Sequence, residues 1–288
     1  MRQLLMLSGK GGTGKTTLTA AFASLADSPV LADCDVDAAD LHLLLQPDVK
    51  ERMGFRGMEL AVKDLSRCID CGICRDSCRY DSIDENNNII EEMCEGCAVC
   101  TIVCPEGAMR MEPRISGDAY LSVTRLGPMS HAKLFTAEEA SGKLVAMVRK
   151  NASDLAESWG RDLIIIDGPP GIGCPVIASI AGVNQVCVVT EPTVSGAHDL
   201  SRVIELCRHF GVPACVVINR CDINAGKADE IAAWCDENDV EVVGRVPYDT
   251  AATASMIAQE TLIEHDDAVL APKVREVWGR LEELAYGR

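Results

Sequence analysis

The sequence predicts an α/β fold built on a mainly parallel, doubly wound sheet, with a smaller cysteine-rich domain inserted into it. Three observations predict this. Short apolar runs alternate with helical stretches, a glycine-rich loop directly follows the first of those runs, and one cysteine spacing occurs twice in succession. Strands are expected at 3–7, 30–32, 163–166, 186–190, 214–218 and 240–243, and helices near 15–26, 143–159, 197–210, 227–237 and 268–286. Alternation of this kind places helices on both faces of a parallel sheet and ligands at the carboxyl ends of its strands.

The first apolar run, Gln3 to Leu7, leads into Ser8-Gly9-Lys10-Gly11-Gly12-Thr13-Gly14-Lys15-Thr16-Thr17. Gly9 through Thr16 satisfies G-x-x-x-x-G-K-[ST], the phosphate-binding loop of P-loop NTPases. Its glycines let backbone N–H groups converge on the phosphates of ATP or ADP, and a helix starting near Lys15 adds its N-terminal dipole. Lys15 is expected to reach the outer phosphates and the Thr16 hydroxyl to ligate Mg²⁺. A strand before the loop and a helix after it supply the context the motif needs.

Eight of the 15 cysteines fall into two matched sets. Cys68, Cys71, Cys74 and Cys78 have the spacing C-x2-C-x2-C-x3-C, and Cys94, Cys97, Cys100 and Cys104 repeat it 26 residues later, followed by Pro105. Two adjacent triplets oversupply a zinc site, which takes one C-x2-C pair from each of two places. A disulfide framework suits short secreted chains rather than one with a nucleotide motif. The pattern resembles that of two-cluster bacterial ferredoxins, in which each loop supplies three ligands to one cluster and one to the other. That resemblance implies one [4Fe-4S] cluster on Cys68, Cys71, Cys74 and Cys104 and another on Cys94, Cys97, Cys100 and Cys78. Arg79 stands where the second set has Pro105, a departure that falls at the Cys78 corner.

Later elements complete the alternation. Val30 to Asp37 reads as a strand ending in acidic residues, with Asp37 and Asp40 better explained as loop and helix-cap residues. Leu163-Ile164-Ile165-Ile166 is a continuous apolar run, as a strand covered on both faces requires, and it ends in Asp167-Gly168-Pro169-Pro170-Gly171. Val216 to Arg220 is a further strand end, and Val246-Pro247-Tyr248-Asp249 a loop. The last helix is expected to turn Val274, Val277, Trp278, Leu281, Leu284 and Ala285 toward the core and its charged residues outward. It does not read as a basic membrane-lying anchor.

Lys10, giving G-K-G-G-T-G-K-T, makes the loop resemble the variant phosphate loop of the MinD/ParA class of ATPases, which includes Mrp and the nitrogenase iron protein. The resemblance implies an ATP-stabilised dimer, with a second copy or a related ATPase, in which Lys10 reaches the partner's nucleotide. It implies further that Asp35 orients the attacking water with Asp33 or Asp37 in support, and that Asp167 holds Mg²⁺. The Asn219-Arg220 strand end would contact the adenine, and the loop containing Pro247 would close over it. The chain resembles a MinD-type ATPase spanning 1–62 and 113–288, with a two-cluster ferredoxin domain at 63–112. Cys174 lies seven residues after Asp167, the offset of a cluster ligand in the nitrogenase iron protein, but a second matching cysteine is not evident and a buried thiol beside Pro175 is the better reading.

Two functions compete on this basis. Nucleotide state could gate electron transfer from the clusters to a redox partner, or it could control cluster transfer to an accepting protein, as in Mrp-type carriers. Eight ferredoxin-type cysteines would hold clusters firmly, which favours electron transfer. The formal net charge of −17 opposes attraction to nucleic acid or anionic lipid. No apolar run approaches the ~18 residues of a membrane span, so a cytoplasmic protein is expected. With 48% hydrophobic residues but only 4% aromatics, the core must be aliphatic.

Overall fold

The computed structural model describes residues 1–135 and 141–286. β1 (Arg2–Ser8) runs into the glycine loop, and α1 (Lys15–Leu25) starts where that loop closes. β2 (Val30–Asp33), the short α2 (Leu41–Leu45), β3 (Asp48–Phe55) and β4 (Met58–Lys63) follow. Two helical turns, α3 (Ile73–Asp76) and α4 (Val99–Val103), precede β5 (Met109–Arg114). Next come β6 (Gly117–Thr124), β7 (Gly127–Leu134), α5 (Ser141–Ser158), β8 (Leu163–Pro170), α6 (Cys174–Ile180) and β9 (Gln185–Thr190). The remaining elements are α7 (Val194–His209), β10 (Ala214–Asn219), α8 (Ala225–Glu237), β11 (Glu241–Val246), α9 (Ala251–Ala258) and α10 (Leu270–Tyr286).

Nine strands form one sheet in the order β11-β10-β9-β1-β8-β2-β7-β6-β3. β1 pairs parallel with β8 and β9, β2 with β8 and β7, and β10 with β9 and β11, so the expected mainly parallel α/β architecture is present. Strand side chains alternate between faces, and the burial divides accordingly. Leu4, Met6, Leu31, Leu163, Ile165, Val189 and Val217 share a core with Leu18 and Phe22 of α1 and Val274, Val277 and Trp278 of α10. Leu5, Leu7, Ile164, Ile166 and Val188 are equally buried on the opposite face, where α5, α6 and α7 lie against the strands. Both faces are therefore covered, as the continuous apolar run of β8 demanded.

The chain divides into two compact units. The first comprises Met1–Arg52, Ala119–Lys133 and Ser141–Arg288, and the second is chiefly Met53–Asp118. The second unit contains the antiparallel β4–β5 pair, the turns α3 and α4, and a small core of Ala61, Ile83, Cys94 and Met109.

Sequence periodicity did not anticipate β3 to β7. In β6 and β7 the buried positions include Asp118, Ser122, Thr124, Ser130 and His131, so polar residues stand where an apolar period would show. His131 is satisfied locally by a hydrogen bond of 2.9 Å between its Nε2 and Ser122 Oγ. α10 buries Val274, Val277, Trp278 and Leu281 as expected, but Leu284 is exposed because it falls in the final turn, and the Ala285 side chain lies outside the described residues.

Phe22 is fully buried and stacks on Trp278 with ring centroids 5.6 Å apart, joining α1 to α10. Phe22→Ala should cost about 3–5 kcal/mol through lost burial and an unfilled cavity. Urea denaturation followed by circular dichroism measures this, and a loss below about 1 kcal/mol would contradict the packing described.

Candidate functional site

The glycine loop ends in a helix start that no side chain caps. Gly14 occupies the N-cap of α1 at φ +86°, and the first-turn N–H groups of a helix lack partners within the helix. A Cβ at Gly14 would also lie 2.4 Å from Asn219 Nδ2, so both conformation and space require glycine there. Gly12 has φ +79°, and Gly9 leaves no room for a Cβ against Asp199. The Thr13 hydroxyl is buried with no hydrogen-bond partner, an orphan oxygen inside the loop. Gly11 and Gly12 are exposed, while Thr16 and Thr17 are half-buried.

At the carboxyl ends of β1, β2 and β8 lies a buried cluster of charges. Asp167 is fully buried and accepts hydrogen bonds from Lys15 Nζ at 2.8 Å, Thr16 Oγ1 at 2.7 Å and Thr19 Oγ1 at 2.9 Å. Asp35 Oδ2 stands 3.9 Å from Lys15 Nζ. Burial alone would lower the Lys15 ammonium, but the charge and hydrogen bond of Asp167, together with the charges of Asp35 and Asp33, outweigh it and leave Lys15 above its ordinary value. Asp33, opposite Asp167 in the β2–β8 register, is pushed well above the carboxylate range by burial and by Asp167. Its oxygens accept from the Asp35 and Leu41 amides, which shapes the acidic loop. Burial, only partly offset by Lys15, raises Asp35 to about 6. Asp37 and Asp40 are exposed.

Lys10 points back into its own chain. Its Nζ is 2.6 Å from Glu191 Oε1, 3.1 Å from Ser195 Oγ and 3.4 Å from Thr193 Oγ1. Glu191 Oε2 also meets Arg220 at 3.2 Å. Asn219 Nδ2 donates to the Thr13 carbonyl at 2.7 Å, tying the end of β10 to the glycine loop. Beyond Asn219 and Arg220 lies a cleft bounded by Gly14, Thr17, Pro247, Tyr248 and Met256. Sequence reasoning missed Glu191, Thr193 and Thr19. The rule that ligands gather at the carboxyl ends of parallel strands would have found the first two, since they directly follow β9. Thr19 carries no sequence signal beyond its place one turn after Lys15.

In the second unit, the eight cysteines line two cavities. Cys68, Cys71, Cys74 and Cys104 border one, and Cys78, Cys94, Cys97 and Cys100 border the other. The two halves repeat in backbone as well as in sequence. Asp70 and Gly96, Gly72 and Ala98, and Asp81 and Gly107 all have positive φ, each pair 26 positions apart. The turn after Cys78 therefore matches the turn after Cys104, although Arg79 replaces proline. Cys104 Sγ accepts from the Ala108 amide at 3.2 Å, and Cys78 Sγ lies 3.1 Å from Ser82 Oγ. Slight burial would raise the Cys104 thiol, but backbone N–H groups led by that of Ala108 outweigh it and hold it below its ordinary value. Among the described residues, no three His, Cys, Asp or Glu side chains converge as ligands of one metal ion would. Cys174 is exposed at the start of α6, which corrects the expectation of a buried thiol; the short helix turns that residue outward.

Residues 4–262 match the model of the CobQ/CobB/MinD/ParA nucleotide-binding domain. An uncharacterised protein of Methanocaldococcus jannaschii is 29% identical over 286 residues, covering 98% of this chain and 97% of its own. The cell division ATPase MinD of Pyrococcus furiosus superposes with a TM-score of 0.61 at 20% identity, covering 99% of each chain. The septum site-determining protein MinD of Pyrococcus horikoshii, solved with Mg-ADP, gives 0.61 at 18% identity, covering 99% of this chain and 97% of its own. No helix among the described residues is long and apolar enough to cross a membrane.

The raised Asp35 carboxyl has a consequence for stability. Its native value near 6 exceeds the ordinary 3.8, so the folded chain binds an extra proton between those values. The stability this contributes is present below about pH 4 and is lost as the pH rises through about 6. Asp35→Asn removes the titration, so the stability of the native chain relative to the variant should fall from pH 4 to pH 6. Denaturation midpoints measured across that range check it; a flat or rising difference would contradict the placement of Asp35.

Proposed function

The chain belongs to the CobQ/CobB/MinD/ParA nucleotide-binding family, and from that premise we propose that it is an ATPase whose nucleotide state gates electron transfer through two [4Fe-4S] clusters to a partner protein. The observation that carries the reading is the sorting of eight cysteines into two cavities of four, with Cys104 joining the first triplet and Cys78 the second. That is the crossed arrangement of two-cluster ferredoxins. The repeated left-handed positions fit a pair of like sites. The names of the MinD relatives point to cell-division positioning, a role that gives no account of eight cysteines in this arrangement.

For the nucleotide, the orphan Thr13 hydroxyl, the uncapped start of α1 and the cleft beside Asn219, Arg220 and Pro247 suit phosphates at one end and an adenine at the other. Bound Mg²⁺ would neutralise charge developing on the transferred phosphoryl group. Thr16 and Asp167 are the residues that would hold it. Lys15, now bound to Asp167, would turn to the phosphates, and Asp35 would align the attacking water. Among the described residues of the site no other side chain stands as a strong general base, so turnover of the isolated protein should be slow and should rise with a partner. When bound, the clusters supply one-electron chemistry at potentials set by hydrogen bonds to sulfur and by solvent exposure. The Ala108 amide and the Ser82 hydroxyl are the groups placed to tune them.

Cys71 and Cys97 are exposed, one at each cavity, and this also suits release of a cluster to an accepting protein. The second reading is therefore an Mrp-type carrier. Iron moving to an apo-acceptor during ATP turnover would favour it; iron retained through turnover favours electron transfer.

Purified anaerobically, the protein should contain about eight iron and eight sulfide per chain. Cys104→Ser should lower iron by about half while leaving nucleotide binding intact, and Cys174→Ala should leave iron unchanged. Zinc in place of iron, or iron insensitive to Cys104→Ser, would overturn the cluster assignment. Lys15→Ala should abolish ATP hydrolysis in a phosphate-release assay; retained activity would remove the phosphate loop from the mechanism.

A further inference from the structure

Glu191 stands between two cations that belong to different parts of the nucleotide site. Its carboxylate takes Lys10 of the glycine loop on one oxygen and Arg220, beside the base cleft, on the other. The sheet order makes this possible, because β10, β9 and β1 are neighbours and the three residues follow their carboxyl ends. The Glu191 side chain is only 15% exposed, so both contacts are screened less than surface pairs. Ser195 and Thr193 complete the set of acceptors around Lys10. Arg220 adopts φ +54°, a left-handed conformation that non-glycine residues take at a cost and that clusters at functional sites.

The geometry points to Glu191 as a positioning residue that latches Lys10 within its own subunit, so that forming the ATP-bound dimer requires breaking this latch. The inference rests on the reading of Lys10 as the residue that reaches the partner's nucleotide. A lysine held by a carboxylate and two hydroxyls is withdrawn from a dimer interface. Binding of a triphosphate brings concentrated negative charge to the glycine loop. That charge competes with Glu191 for Lys10, while Arg220 keeps its hold on the other carboxylate oxygen. Glu191 thereby sets how much nucleotide-derived attraction is needed before Lys10 can cross.

The test is sedimentation velocity of the full-length protein under anaerobic conditions, at saturating non-hydrolysable ATP analogue. Glu191→Gln should tighten the dimer Kd by about threefold or more, within the range of coupling between contacting residues. In a Lys10→Ala background the same substitution should change Kd little, since the latch then has nothing to hold. A merely structural role for Glu191 would not depend on Lys10. A Glu191→Gln dimer no tighter than the native one overturns the latch. If Lys10→Ala alone leaves the native Kd unchanged, the reading of Lys10 fails and the latch with it. If Lys10→Ala weakens the dimer while Glu191→Gln does not tighten it, only the latch fails. Should Glu191→Gln not fold, Ser195→Ala removes a second anchor and must tighten the dimer in the same direction; no change overturns the proposal.

Discussion

Asp167 is a fully buried carboxylate within a strand with apolar neighbours on both faces, and such a group survives only if other residues gather around it. Lys15, Thr16 and Thr19 do so, all from the first two turns of α1. This fixes the axis of α1 relative to β8, and with it the point where the glycine loop must close. Gly14 follows as a geometric necessity, since the loop turns left-handed there against the Asn219 side chain. Asn219 in turn holds the Thr13 carbonyl, so the end of β10 is placed by the same loop. Asp33, packed beside Asp167 in register, is pushed well above the carboxylate range by burial and by the charge of Asp167.

The second unit rests on a different constraint. Short loops that bring four sulfurs around a cavity need sharp turns, and the chain supplies them at the same offsets in each half. Ala98 takes the left-handed conformation that Gly72 takes with less strain. Persistence of the turn at a residue disfavoured there says that the loop shape, rather than local preference, decides the backbone.

Much of this was legible from sequence where one residue type carries one physical demand. The apolar run of β8 announced a strand buried on both faces, the glycine loop announced the start of α1, and the cysteine spacing announced the paired cavities. What escaped depended on partners distant in sequence. Glu191 is an unremarkable acid until Lys10 and Arg220 are brought to it by adjacent strand ends. β6 and β7 were hidden because Ser122 and His131 satisfy each other in a buried position where an apolar residue was expected. Leu284 followed the helical period and yet faces solvent, because the period continues past the end of the core it would pack on.

The central claim is that nucleotide state and cluster chemistry are linked in one molecule. The most direct measurement is an anaerobic redox titration monitored by EPR, made without nucleotide, with ADP and with a non-hydrolysable ATP analogue. The account predicts that the ATP analogue shifts at least one cluster potential by ~60 mV, equivalent to about 1.4 kcal/mol for a one-electron couple. Identical potentials in all three states would contradict it.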